Sequence, residues 1–546
     1  MNKIAKILTV AALAVIAVSC ASPKKMAEMA ENVLVQCQPE VLEVIGGSID
    51  ADITVSYPAD YFNPKAILEV TPVIVYEGGE AKMDPFMYQG EKVKDNYKVV
   101  AKAGGTVKEK VHFDYVPGME KCYLELRGVA SIKTKSVDLP SKKVADGANT
   151  TYMLVDKAGK VDFKADNYQE IIPQTEEGQI LYTINSSEVR GKELKSQSIK
   201  DFQAALDEIK DNERKTLMGT EVVAYASPDG GESLNAKLSD KRAGTAEKAF
   251  NKVTKGKETG ETDVQSIGQD WEGFQELVAA SDIEDKDLII RVLSMYSDPA
   301  VREQEIKNMS SVFTELKKEV LPELRRARFI ANVEYKNYTS EELLQLIDEN
   351  DAVLDEEALL RTATLVDNAS DKLAIYKKAV DKFGSSRAQY NIAAVNLAEN
   401  NLSAAKTALA KCDAQDADVL NAKGVIALRE ENYSEAYKYF TMSGNQTAIE
   451  NEAVIDILNG AYPQAAQKLA NSDCCFNKAL SQVLTDDLAA ASSSLKCECP
   501  KASYLKAIIA ARQGKTADAN ALLEKAKACD CLAARAEKDI EFANCK

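Results

Sequence analysis

Between residues 393 and 523 a small residue is followed five times by Ala twelve positions on, and then by a large apolar residue four further along. The sets are Ala393/Ala405/Leu409, Gly424/Ala436/Phe440, Ala453/Ala465/Leu469, Ala479/Ala491/Leu495 and Ala507/Ala519/Leu523, at steps of 26 to 31 residues. A step of that size suits one helix–turn–helix unit. The small residues belong where two antiparallel helices cross closely, and the large one fills the gap beside them. One hairpin cannot bury its own apolar stripe, so the units must stack. An α-helical repeat solenoid is therefore predicted for 339–546, with Thr339–Phe383 adding degenerate hairpins as its N-terminal cap.

With Tyr433 three residues before Ala436, the array resembles tetratricopeptide repeats, although its units run shorter and lack the full consensus. That resemblance implies a concave face that holds a protein segment. A rigid spacer without a ligand is the plainer reading. Eight of the eleven cysteines lie here: Cys412, Cys474, Cys475, Cys497, Cys499, Cys529, Cys531 and Cys545. Cys474-Cys475, Cys497-Glu498-Cys499 and Cys529-Asp530-Cys531 each fall in a turn between hairpins, and stacking brings such turns to one edge. Disulfides between neighbouring turns are expected in an exported chain. The alternatives are free core thiols or a thiolate metal site, but C-x-C pairs without His depart from structural zinc spacing. No metal and no cofactor are expected.

Residues 1–20, MNKIAKILTVAALAVIAVSC, have a basic start, an apolar run from Ile7 to Val18 and then Ser19-Cys20. This reads as a signal peptide over 1–19, too short to span a bilayer. Its end resembles a lipobox, with Ala17 where Leu is commoner, which implies lipidation of Cys20 and a tether over 20–31; the plainer reading is an ordinary secretory peptide cleaved near Ala21. Lys24 and Lys25 follow the lipid site, so a periplasm-facing outer-membrane protein is expected.

Residues 32–165 alternate at period 2 in Val107–Val116 and Cys122–Arg127, with further strand-like runs at Val33–Cys37, Ile53–Val55 and Ala66–Tyr76. A β-sandwich of roughly seven strands is predicted. His112, the chain's single histidine, faces away from Val111 and Phe113 and reads as exposed or on an edge. Cys37 and Cys122 read either as a disulfide or as two isolated buried thiols.

Within 166–338, Glu221–Phe250 reads as a strand, a Gly-containing turn and a helix. Strands at Gln179–Ile184 and Ala327–Tyr335 and a helix at Gln197–Ile209 surround it, with an insertion at about 254–323. The pattern formed by Gly230, Asn235, Leu238, Ser239, Arg242 and Ala243 resembles the signature of OmpA-like domains, which attach outer-membrane proteins to peptidoglycan. The resemblance implies a β-α-β-α-β domain and a peptide-stem site at Ser227, Asp229, Asn235 and Arg242. Ser227 occupies the family's Asp position and supplies a neutral hydrogen bond where a carboxylate would pair with the ligand's ammonium.

The fold class expected is thus multidomain α+β: β-sandwich, OmpA-like domain with a helical insertion, and repeat solenoid. A net charge of −17 argues against nucleic acid as a partner. One histidine removes most triad and multi-His metal chemistry, so no enzyme is expected. The function implied is a periplasmic adaptor lipoprotein linking the outer membrane to peptidoglycan, to a protein complex at the repeats, or to both. The alternatives are an assembly subunit without peptidoglycan binding and, less favoured, a thiol–disulfide or metal-handling protein.

Overall fold

The computed structural model describes residues 23–545 except 284, 309 and 474. The predicted signal peptide 1–19, the lipidation position Cys20 and Cys474 lie outside the described residues. The chain divides into two compact units, Met1–Lys164 with Gln389–Lys546, and Ala165–Ala388. This differs from a division into 32–165, 166–338 and 339–546. The N-terminal β module shares a core with the later repeats, and the helices from 340 to 383 group with the middle of the chain.

In the first unit, the described part of the expected tether folds as a short helix, Pro23–Glu28, with Pro23 and Met26 buried. Eleven strands follow, more than the roughly seven expected: β1 (Leu34–Gln38), β2 (Val41–Ile45), β3 (Ser48–Tyr57), β4 (Ile67–Tyr76), β5 (Gly79–Lys82), β6 (Phe86–Gly90), β7 (Lys98–Val100), β8 (Gly105–Asp114), β9 (Cys122–Ile132), β10 (Lys135–Asp138) and β11 (Lys142–Asn149). They form one connected network in the order β1-β3-β2-β11-β9-β4-β6-β7, with β8 on β3, β5 on β4 and β10 on β9. Val35 and Val55 face Leu68, Val70 and Leu126 across a small apolar cavity, so the two halves of the network lie face to face. The extra strands include the short polar hairpin arms β5 and β10, which carry little hydrophobic alternation. His112 points outward on β8 and lies 2.8 Å from Asp50, which raises its pKa. Cys37 on β1 and Cys122 on β9 are free, buried thiols.

The repeats in this unit are helix pairs: Ser386–Ala398 with Leu402–Leu409, Ala417–Arg429 with Tyr433–Ser443, Gln446–Leu458 with Tyr462–Lys468, Cys475–Leu484 with Leu488–Ser494, and Pro500–Arg512 with Thr516–Ala526. A last helix, Asp530–Lys538, follows. Every residue of the five periodic sets is buried. Gly424 shows why small residues recur, because a Cβ there would lie 2.5 Å from the Phe440 ring.

The β module packs on the C-terminal end of this array. Asn149 Nδ2 and Thr151 Oγ1 donate to Glu541 at 2.9 and 2.7 Å, and Arg512 Nε and Nη2 donate to the same carboxylate at 3.0 and 2.5 Å. Arg535 Nη2 donates to the Thr150 carbonyl at 2.8 Å.

The second unit carries a four-stranded sheet of β12 (Ile171–Leu181), β13 (Lys215–Ala226), β14 (Thr262–Gln269) and β15 (Arg326–Lys336), in the order β12-β15-β13-β14. Only β13 and β14 run parallel. Helices Gln197–Asp211 and Glu232–Val253 bury Phe202 and Phe250 against Phe329 of β15, with ring centres 5.2 to 6.2 Å apart. The expected insertion at 254–323 is corrected in one respect, since its first part supplies β14. Val264 and Ile267 are the only large apolar residues in that edge strand, so period-2 alternation was weak there. The remainder forms four helices, Trp271–Ala280, Lys286–Met295, Pro299–Asn308 and Ser310–Glu319, around Phe274, Ile289, Leu293 and Leu316. Helices Ser340–Glu349, Glu356–Leu365 and Ala369–Phe383 complete the unit.

Gly424→Ala is expected to lower the urea midpoint. Overpacking costs about 1–3 kcal/mol, while the helix preference of Ala returns only about 1 kcal/mol. The Glu541 contact is acid-sensitive. Burial raises its pKa, but the Arg512, Thr151 and Asn149 hydrogen bonds outweigh that and hold the carboxyl below the usual range. A depressed pKa stabilises the fold above the unfolded value and loses that contribution as pH falls through the folded one. Stability of this unit should therefore drop below about pH 4. Glu541→Gln should lose about 3 kcal/mol at pH 7 and flatten the acid dependence, as read from urea midpoints at pH 7 and 3.5.

Candidate functional site

Residues Val155–Lys164 leave the β module without secondary structure of their own. An extended segment of this kind exposes a peptide N–H and C=O at each residue, and these need partners. Asparagines on the first helices of four successive hairpins provide them. Asn477 accepts from Asp156 N at 2.8 Å and donates to Asp156 O at 2.9 Å. Asn451 accepts from Lys160 N at 2.8 Å and donates to Lys160 O at 2.8 Å, and Asn421 donates to the same oxygen at 3.0 Å. Asn391 accepts from Lys164 N at 2.8 Å and donates to Lys164 O at 2.9 Å. A side-chain amide has the donor and acceptor of a peptide group, so Asn391, Asn451 and Asn477 each pair with the strap as a neighbouring strand would, while Asn421 donates to it and accepts from Asn451.

Side chains set the register of this strap. Gly159 has φ +67°, and a Cβ there would come within 3.0 Å of both Val425 methyls. Lys164 Nζ lies 2.7 Å from Asp416 and 3.0 Å from Asp418, and 5.4 Å from the centre of the Tyr390 ring. Arg429 donates to Ala158 O at 2.6 Å, and Thr447 donates to Asp162. The groove expected to receive a protein segment thus holds one from this chain. The available sign in the sequence was polar Asn at 391, 421, 451 and 477, recurring at about the repeat step inside apolar helices.

The signature residues meet at the end of β13. Asn235 Nδ2 donates to Ser227 O at 3.0 Å and Gly230 O at 2.7 Å, holding the turn. Ser227 Oγ donates to Asp229 at 2.5 Å. Arg325, absent from the sequence-level site, lies 3.3 Å from Asp229 and 3.4 Å from Ser227 Oγ. Arg242 is 1% exposed. Its guanidinium donates to the carbonyls of Ser186 at 3.0 Å, Tyr225 at 2.8 Å and Thr183 at 3.4 Å, and lies 4.9 Å from the Tyr182 ring centre. Burial pulls its pKa down to about 10. In this arrangement Asn235 and Arg242 brace the strand–helix junction, and Arg242 has no carboxylate at hydrogen-bond distance among the described residues.

Of the cysteines expected to pair, Cys475 and Cys497 are brought into contact, with their sulfurs 3.0 Å apart. Cys529 and Cys531, two residues apart, perturb each other, Cys531 drawing the Cys529 pKa down and Cys529 pushing the Cys531 pKa up. Cys499 is exposed and Cys545 is buried. No group of three or more His, Cys, Asp or Glu able to hold a metal occurs among the described residues.

No family model matches the chain, and no curated protein matches it. Among solved structures it is similar to a tetratricopeptide repeat protein from Parabacteroides merdae, at 14% identity over 35% of this chain and 84% of that one, with a TM-score of 0.28. It is similar to PilW, a type IV pilus biogenesis factor, at 16% identity over 35% of this chain and 94% of that one, TM-score 0.26. A chain of the Cut9–Hcn1 hetero-tetramer of the APC/C matches at 16% identity over 60% of this chain and 63% of that one, TM-score 0.27. At these scores the repeat architecture rests on the stacked hairpins themselves.

Asn451→Ala should free the middle of the strap. Losing paired hydrogen bonds at a peptide group costs about 1–3 kcal/mol. Trypsin should then cut after Lys157 or Lys160 roughly one to two orders of magnitude faster than in the wild type, as followed by mass spectrometry of the nicked chain.

Proposed function

We propose that this chain is a non-enzymatic scaffold lipoprotein, held in the outer membrane through Cys20 and facing the periplasm, whose helical repeats engage a protein partner. The asparagine clasp is the observation that supports this reading most. It ties the β module to the repeat arm along four hairpins, as a scaffold requires. Outer-helix residues such as Tyr437 and Met442 remain exposed for a partner.

The sheet order of β12 to β15 and the two helices on its face support an OmpA-like reading of the middle module. We take that module as a contact scaffold without cell-wall binding, because Arg242 is enclosed and its guanidinium is committed to three carbonyls. The adaptor reading, with peptidoglycan as a second partner, draws support from the convergence of Ser227, Asp229 and Arg242 beside Arg325.

Sedimentation with purified sacculi separates the two. The form starting at Ala21 is expected to stay in the supernatant, as is Arg242→Ala. Pelleting that Arg242→Ala abolishes would establish the cell-wall adaptor instead. Chemical cross-linking of the full chain in intact envelopes should join it to a protein partner, and a chain recovered only uncross-linked would overturn the scaffold reading.

A further inference from the structure

The fourth and fifth hairpins meet at three thiols. Cys475 is the first residue of helix Cys475–Leu484, and Cys497 and Cys499 lie just before helix Pro500–Arg512. Stacking carries the turn after one hairpin over the start of the same hairpin, which puts the Cys475 and Cys497 sulfurs 3.0 Å apart. Both are only partly buried, so a small reagent reaches them.

The two thiols differ electrostatically. Burial would raise the pKa of Cys475. The neighbouring Cys497 thiol and the backbone amides around it draw it down instead. Cys497 is pushed up to about 12 by burial and by the hydrogen bond to Cys475. One thiol is therefore disposed to ionise and attack, while its neighbour keeps the proton. Cys37 and Cys122 give the contrast, because burial pushes them to about 11 and about 12 with no thiol partner. The thiolate is the reactive form, so oxidation favours Cys475 and Cys497 over the enclosed thiols of the β module.

We propose that Cys475 and Cys497 form a thiol–disulfide exchange site that closes to an intramolecular cross-link on meeting a disulfide-bearing oxidant. In the first step the Cys475 thiolate attacks one sulfur of the oxidant's S–S bond. A mixed disulfide forms on Cys475, and the other sulfur leaves as a thiolate that takes a proton from water. Cys497 then gives its proton to water and attacks the Cys475 sulfur, which breaks the mixed disulfide and releases the second thiolate. In sum, two protein thiols lose two electrons and two protons, and one disulfide is reduced to two thiols. The cross-link closes the loop from 475 to 497 and anchors the helix start two residues before Asn477, which holds Asp156.

The full chain, reduced with a phosphine and desalted, would be exposed to oxidised glutathione, quenched in acid, alkylated and mapped by tandem mass spectrometry. The expected product is a peptide pair joined through Cys475 and Cys497, formed roughly tenfold or more faster than any modification of Cys37 or Cys122. Cys497→Ser should stop the reaction at a glutathione adduct on Cys475. Cys474→Ser should leave the cross-link unchanged, and Cys475→Ser should abolish it. A cross-link through Cys474 or Cys499, or full alkylation of both Cys475 and Cys497 after oxidation, would overturn the proposal.

Discussion

An extended backbone outside a sheet lacks the partners that a neighbouring strand would give its peptide groups. The carboxamides of Asn391, Asn421, Asn451 and Asn477 resolve that difficulty for Asp156, Lys160 and Lys164. The architecture of the first unit depends on this pairing. It routes the chain leaving the β module along the inner helices of four hairpins. The far end of the β module is held by Glu541 with Arg512, Asn149 and Thr151. Between these two attachments the apolar faces of module and repeats merge into one core. The inner face of the array serves the chain's own fold, which leaves the outer helices for other molecules.

The middle module shows how one set of side chains serves structure or recognition depending on what completes it. A buried guanidinium needs acceptors on all sides. Arg242 finds three carbonyls and an aromatic face, whereas Arg325 finds the Asp229 carboxylate and the Ser227 hydroxyl. Asn235 holds the turn by its amide, so the motif reads as a brace even without a ligand. The glycine at 230 fits this geometry, since a Cβ would stand 3.3 Å from the Asn235 carboxamide oxygen.

The cysteines separate along similar lines. Position in the fold, rather than number, distinguishes the enclosed thiols of the β module from the pair at the hairpin junction. Backbone amides and a neighbouring thiol stabilise negative charge on Cys475, while burial in an apolar layer disfavours it on Cys37 and Cys122.

Local patterns determined what depends on neighbours close in the chain. The twelve-and-four spacing of Ala and large apolar residues specified the hairpins, because both helices of a crossing lie within one repeat. Alternation located the long strands β8 and β9, strand-like runs marked β4 and three residues of β3, and the signature placed Asn235 and Arg242 on one helix behind β13. Tertiary structure alone decided the rest. The strap reaches Asn391 from Lys164 across 227 residues and Asn477 from Asp156 across 321. Arg325 joins Asp229 from 96 residues away, and β14 earns its place by pairing with β13 rather than by its own weak alternation. Periodicity records which face of an element is apolar. It carries no record of which distant backbone that face will meet, so the occupant of the groove and the composition of the two units emerged only when the chain was folded.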